Sequence, residues 1–267
     1  APFERAEFLA RVELTSYRLK TWLEKPALSE ALAAVPGIGP EAPGWAEVLE
    51  EPKKRLRDPR PKGPIPGCFL DAEREEWKEI VRLKGAAGMM IGIPVEEVER
   101  GPAGEDTSSG GFAVGKRDEE DRAVDDCRRK NWRELRFPPT KLGHGACFAR
   151  RTLLGDAEYH MYDVPSRYHN FATPEEHAKF SAQGPELTIE EARELELPLR
   201  GDFPSGRVQP CVLSFSMGDA KGVPCAQEGM TEVGSRAGLD RWELLQLDSP
   251  APPGSLWATI CIDDVIM

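Results

Sequence analysis

No apolar run in this chain of 267 residues approaches the roughly 18 consecutive residues that a membrane-crossing helix needs. No charged-then-apolar signal segment opens it, and its first residue is Ala1. The expectation is a soluble, intracellular protein with no membrane partner, nuclear and cytoplasmic locations being indistinguishable. The six cysteines, Cys68, Cys127, Cys147, Cys211, Cys225 and Cys261, contain no C-x-x-C pair. Their wide spacing excludes a small disulfide scaffold or a zinc ribbon and points to buried thiols in a reducing compartment.

What is present is enough apolar material for a core, 40% of residues, punctuated by 24 prolines and 25 glycines that imply many loops. The net charge of −11 argues against a nucleic-acid binder as a bulk property. The average conceals a local reversal: residues 111–151 hold eleven Lys/Arg against seven Asp/Glu. A solvated basic stretch is the plain reading. A surface for phosphates kept apart from carboxylates that bind metal is the sharper one.

Residues 1–100 read as a mainly helical segment of unknown role, with no catalytic pattern. Phe8, Leu9, Val12, Leu19, Trp22 and Leu23 recur at helical spacings, and Pro36 to Pro66 is breaker-rich. Asp71 can cap a helix running to about Lys84 with Trp77, Ile80 and Val81 on one face and Gly85 past its end. Residues 101–111, small and polar, are the candidate flexible linker. Phe112 to Val114 and Arg122 to Asp126 are strand candidates joined by a charged turn. Thr173-Pro174-Glu175-Glu176 and Thr188-Ile189-Glu190-Glu191 carry helix-start signals, so Thr173 to Arg200 is expected to be largely helical. Val208 to Phe215 and Leu256 to Ile262 have strand length. The alternation suggests an α+β fold.

Two constellations carry chemistry. Gly110 to Lys116 fits G-x-x-x-x-G-K, but Arg117 stands where a phosphate loop needs Ser or Thr, and Phe112-Ala113-Val114 prefers a strand, so a nucleotide-cradling loop is disfavoured. The second is Asp163, which ends Tyr159-His160-Met161-Tyr162, together with Asp263-Asp264, which ends an apolar run from Trp257. Carboxylates at strand ends are hard-oxygen ligands suited to Mg²⁺. Two such ions about 4 Å apart can activate a hydroxyl and stabilise a leaving pyrophosphate.

Taken in order, these segments resemble the reverse transcriptases of retroelements. The fingers-hairpin pattern appears as Phe112-Ala113-Val114-Gly115-Lys116 followed by Arg122-Ala123-Val124-Asp125-Asp126-Cys127-Arg128-Arg129-Lys130-Asn131. The first palm motif, an aspartate followed five residues later by an aromatic, appears as Asp163 and Tyr168. The next appears as Leu213-Ser214-Phe215-Ser216-Met217-Gly218 with Gln227 nine residues beyond the glycine, and the last as Cys261-Ile262-Asp263-Asp264. Cys261 replaces the aromatic usual there, and Gly115 a basic residue.

The resemblance implies fingers and palm over residues 112–267, the palm an antiparallel sheet with helices on one face. It implies template-directed transfer of deoxynucleotides to a primer 3′-hydroxyl on an RNA or DNA template. Asp163, Asp263 and Asp264, with the Val164 carbonyl, would hold two Mg²⁺. Lys116 and Arg122 would meet the triphosphate, Tyr168 would exclude a 2′-hydroxyl, and Met217 and Gly218 would line the nucleotide pocket. Asp126, Arg128 and Asn131 are expected to tie the fingers down. The resemblance also leads one to expect that the strand returning after Asp264 and the thumb are missing, leaving a fragment inactive or nearly so alone. The rival reading is a non-catalytic remnant or scaffold that keeps the fold for RNA or protein binding.

Overall fold

A computed structural model describes residues 53, 56, 63–101, 104–115, 121–135, 140, 142–143, 161–163, 167–170, 172–236, 239, 244–245, 257–262 and 264–266. In chain order the elements are α1 (Arg74–Ala86), β1 (Met90–Pro94), β2 (Phe112–Gly115), β3 (Asp121–Val124), α2 (Arg128–Arg133) and β4 (Met161–Asp163). Then come α3 (Glu175–Ala178), β5 (Leu187–Thr188), α4 (Ile189–Glu194), β6 (Arg207–Val212), α5 (Gly222–Arg236), β7 (Thr259–Cys261) and β8 (Asp264–Ile266). Short 3₁₀ turns cover Val95–Glu97 and Arg167–Asn170. The fold is mixed, with small antiparallel sheets and few helices. No helix among the described residues is long and apolar enough to cross a membrane.

The described residues fall into two compact units, one within Glu47–Arg136 and Tyr168–Gly222, the other within Phe137–Arg167 and Val223–Met267. The first is built on the sheet β1-β6-β5. β1 is the apolar run Met90 to Pro94, buried at every position, as a strand covered on both faces must be. Alternation sends Met90, Val208 and Val212 to a cluster with Trp77, Ile80 and Val81 of α1 and Ala192 of α4. It sends Ile91, Ile93 and Cys211 to a cluster with Ala178 and Ala182. The sheet is therefore packed on both faces. Residues 1–52 lie outside the described set; in the rest of the expected helical segment, α1 is a helix but β1 is not.

α1 confirms the face predicted for Trp77, Ile80 and Val81, all buried. It starts at Arg74 rather than after Asp71: the Glu73 N–H donates to Glu76 Oε2 at 2.8 Å, and Gly85 lies inside the last turn.

The stretch from Thr173 to Arg200 is not one long helix. α3 spans four residues and α4 six, with β5 between them. Gly184, at φ +60°, lies under the Trp77 ring where a Cβ would collide with the indole, and Pro185 follows. Thr188 caps α4 as its sequence signal says: its Oγ1 accepts from Glu191 N at 3.1 Å and Glu191 Oε2 accepts from Thr188 N at 2.9 Å. Thr173 does not cap α3. Its N–H instead donates to the Leu213 carbonyl, and Pro174 is the residue before the helix rather than its first.

In the stretch 101–111, expected as a linker, residues 108–110 are packed into the first unit. Ser108 and Ser109 are buried, Ser109 N donates to the Ala182 carbonyl, and a Cβ on Gly110 would strike the Phe69 carbonyl. Close approach of backbones needs small residues as much as a linker does.

The second unit holds the sheet β4-β8-β7, antiparallel throughout. Met230 of α5 packs with Leu244, Ala258 and Ile260. β8 is the return strand, which the resemblance leads one to expect to be missing. It needs only three residues, because two residues, 262 and 263, join it to β7, and it sits in the middle of the sheet.

Candidate functional site

β2 and β3 form an antiparallel hairpin with Phe112 opposite Val124 and Val114 opposite Arg122. This is a strand pair rather than a phosphate-cradling loop, in keeping with the disfavoured status of the Gly110 to Lys116 motif. Arg122 is exposed, as is Val114; Lys116 lies outside the described residues.

The base of the hairpin is held by side chains. Asp125 Oδ1 accepts from Gln183 Nε2 at 2.6 Å and lies 3.7 Å from Lys84 Nζ. Asp126 accepts from Phe69 N at 2.9 Å and from Arg128 Nε and Nη2 at 2.8 and 2.6 Å. The Arg128 fork, opposed by burial and aided by backbone N–H groups, holds the Asp126 carboxyl down at about 2.

Asn131 bridges outward. Its Nδ2 donates to the Gly218 carbonyl at 2.7 Å, and its Oδ1 accepts from Ala220 N at 2.9 Å. Asp125 N donates to the Met217 carbonyl at 2.9 Å. Gly218, at φ +118°, lies so near the Asp125 carbonyl that a Cβ would clash with it. Asp126, Arg128 and Asn131 are thus ties, as expected: Asp126, braced by Arg128, holds the base of the hairpin to Phe69, while Asn131, with Asp125, holds the Met217-Gly218 loop. Tyr168, half-buried on its 3₁₀ turn, borders the same loop: a Cβ on Gly222 would sit 3.2 Å from its Cε1 and 3.3 Å from the Ser216 carbonyl. The structure therefore gathers Tyr168, Met217 and Gly218 in one region of the first unit.

Beneath lies a buried ionic network that the sequence reading missed. Lys130 pairs with Asp219 at 2.7 Å and donates to Ser181 Oγ at 3.0 Å. Lys221 pairs with Glu134 at 2.7 Å and reaches His177 Nε2 at 3.0 Å, while His177 Nδ1 lies 3.2 Å from Ser181 Oγ. Burial alone would raise the Asp219 carboxyl, but Lys130 and Lys221 outweigh it and leave it well below the usual range. Burial, with both lysines adding to it, keeps His177 neutral. Arg129 pairs with Asp106 and Arg133 with Glu99. Arg129, Lys130 and Arg133, three of the eleven basic residues of 111–151, are therefore paired within the fold. A basic count carries no signal for this, because the partners lie far away in sequence.

In the second unit β4 pairs β8 with Asp163 opposite Asp264, and β8 pairs β7 with Asp264 opposite Cys261. Register partners share a face of the sheet, so positions 163, 264 and 261 form one row. Like charges placed opposite one another destabilise a strand pair, so a carboxylate pair in register is a costly arrangement without a cation. The Asp163 and Asp264 side chains, and all of Val164 and Asp263, lie outside the described residues. Among the described residues no cluster of His, Cys, Asp or Glu converges on a metal position.

The turn before Asp263 is unusual. Ile262 has φ +59°, a left-handed conformation that a two-residue hairpin turn demands and that β-branched residues resist. The Gln227 side chain of α5 spans it, donating from Nε2 to the Ile260 carbonyl at 2.9 Å and accepting at Oε1 from Ile262 N at 2.8 Å. The nine-residue spacing from Gly218 singles out Gln227 in the sequence but assigns it no role.

No known protein family matches the chain, and no curated protein matches it significantly.

Proposed function

We propose that this chain is the fingers and palm of a reverse-transcriptase-like nucleotidyltransferase, acting on an RNA or DNA template with a primer and on deoxynucleoside triphosphates. The observation that carries the reading is the register of β4 and β8. It sets Asp163 opposite Asp264, with Asp263 next to it in the chain. Three carboxylates and the Val164 carbonyl are an all-oxygen donor set of the kind Mg²⁺ takes, and a cation there would offset the repulsion between the opposed aspartates. Two Mg²⁺ held by these residues would supply Lewis-acid activation of the 3′-hydroxyl and charge for the departing pyrophosphate.

The chain's own residues do the rest. Arg122, exposed on its hairpin, offers a planar fork to the triphosphate, and Lys116 a point charge. Tyr168 supplies a ring edge beside the 2′ position of the sugar, admitting deoxynucleotides and excluding ribonucleotides. Met217 and Gly218 are the nucleotide-contacting residues of the resemblance, on a loop whose position is fixed by Asp125 and Asn131.

The scaffold reading draws on the internal pairing of Lys130, Arg128, Arg129 and Arg133, which leaves fewer cations for phosphates than the sequence count suggests. Single-turnover primer extension, with protein in excess so that weak duplex affinity is offset by concentration, separates the two. The polymerase reading expects deoxynucleotide addition in Mg²⁺ or Mn²⁺ that vanishes in Asp163→Asn and Asp263→Asn. It also expects Tyr168→Ala to accept ribonucleotides at least about tenfold better relative to deoxynucleotides, a loss of about 1.4 kcal/mol of discrimination. Addition indifferent to both aspartates favours the scaffold.

A further inference from the structure

Gln227 is 2% exposed, and both ends of its amide are used on the two residues that flank Cys261. One end donates to the Ile260 carbonyl, and the other accepts the Ile262 N–H. Ile262 is one of two described non-glycine residues with positive φ, and it opens the two-residue connection that leads to Asp264. A left-handed conformation is unfavourable for a β-branched residue, and such strain persists only where surrounding contacts over-determine it. Among uncharged side chains of this length, only glutamine carries a donor and an acceptor on one rigid plane. Asparagine is a methylene shorter, and methionine has the length without either group.

We propose that Gln227 is a positioning residue for the proposed cation site: its amide clamps the left-handed turn at Ile262 that leads into β8, the strand that sets Asp264 opposite Asp163. The proposal rests on the metal-binding reading above. It makes α5 the jig for the carboxylates. A turn released from Gln227 relaxes toward ordinary backbone angles, and every residue beyond it, Asp264 opposite Asp163 included, moves with it. Groups that orient metal ligands without touching the metal typically alter affinity about 10–100-fold when removed.

The test uses the purified chain and Mn²⁺ alone, followed by water-proton relaxation, with amide hydrogen exchange at Ile262 read by NMR. Gln227→Met is expected to weaken Mn²⁺ binding about tenfold or more and to strip the Ile262 amide of its protection, while circular dichroism stays that of the parent. Thr231→Val is the control on the same helix. It removes a buried hydroxyl that donates to the Gln227 main-chain carbonyl, and is expected to lower stability with Mn²⁺ affinity unchanged. The proposal is overturned if Gln227→Met leaves affinity within twofold while Asp163→Asn abolishes it, or if Thr231→Val weakens it equally. Should Asp163→Asn leave Mn²⁺ binding intact, the metal reading fails instead. Exchange at Ile262 then judges the clamp by itself: fast exchange in Gln227→Met upholds it, unchanged protection ends it.

Discussion

His169 and His177 stand in the first unit as neutral imidazoles. Burial and then Lys84 push His169 down to about 4; burial and the two lysines of the ionic network push His177 well below its ordinary 6.5. A group whose folded pKa is depressed stabilises the fold above its unfolded value, and that contribution is lost as pH falls toward the folded value. The thermal midpoint is therefore expected to fall between pH 6.5 and about 4. His169→Gln should flatten part of that fall, as differential scanning fluorimetry across buffers would show; a slope identical in the variant contradicts the assignment. Asp126, held at about 2, adds loss only below about pH 4. None of this was legible in residue types. Lys130 is one of three consecutive basic residues and reads as a surface charge, yet its partner Asp219 lies 89 positions away. The three ties at Asp126, Arg128 and Asn131 were legible, because the fingers pattern carries them as a set.

Among elements, those fixed by local chemistry were readable and those fixed by distant contacts were not. The β2-β3 hairpin follows from Phe112-Ala113-Val114 and Arg122-Ala123-Val124 flanking a charged turn, and the start of α4 follows from a capping box closed within four residues. Thr173 opens the same Thr-x-Glu-Glu pattern as Thr188, but its N–H donates to the distant Leu213 carbonyl. The Gly218 tie gives a direct measure of one such contact. Gly218→Ala must place a Cβ against the Asp125 carbonyl at a φ that alanine rarely adopts. Urea unfolding should show a loss of about 2–4 kcal/mol, in the range of strained backbone plus a packing clash. A loss below about 0.5 kcal/mol would mean that the loop is free of the hairpin.

At the scale of the whole chain, the α+β class and the order of the motifs could be read from Phe112 to Asp264, but the division into units could not. Its boundaries depend on pairings such as β1 with β6, more than a hundred residues apart, which composition does not report. Residues 101–111 illustrate why: Gly110, one of the glycines that suggest a linker, lies against the Phe69 carbonyl, where a Cβ would not fit. The return strand β8 was hidden for a related reason, since a two-residue turn with isoleucine at its first position breaks the usual turn chemistry, and Gln227 supplies what the turn lacks. The central claim is that Asp163, Asp263 and Asp264 form one divalent-cation site, and Mn²⁺ titration of the chain, followed by electron paramagnetic resonance with Mg²⁺ as competitor, tests it most directly. The account predicts Mn²⁺ binding that Mg²⁺ displaces and that either Asp163→Asn or Asp263→Asn weakens at least tenfold, because each would supply a carboxylate to the proposed cation. Equal affinity and stoichiometry in the parent and both variants would contradict it.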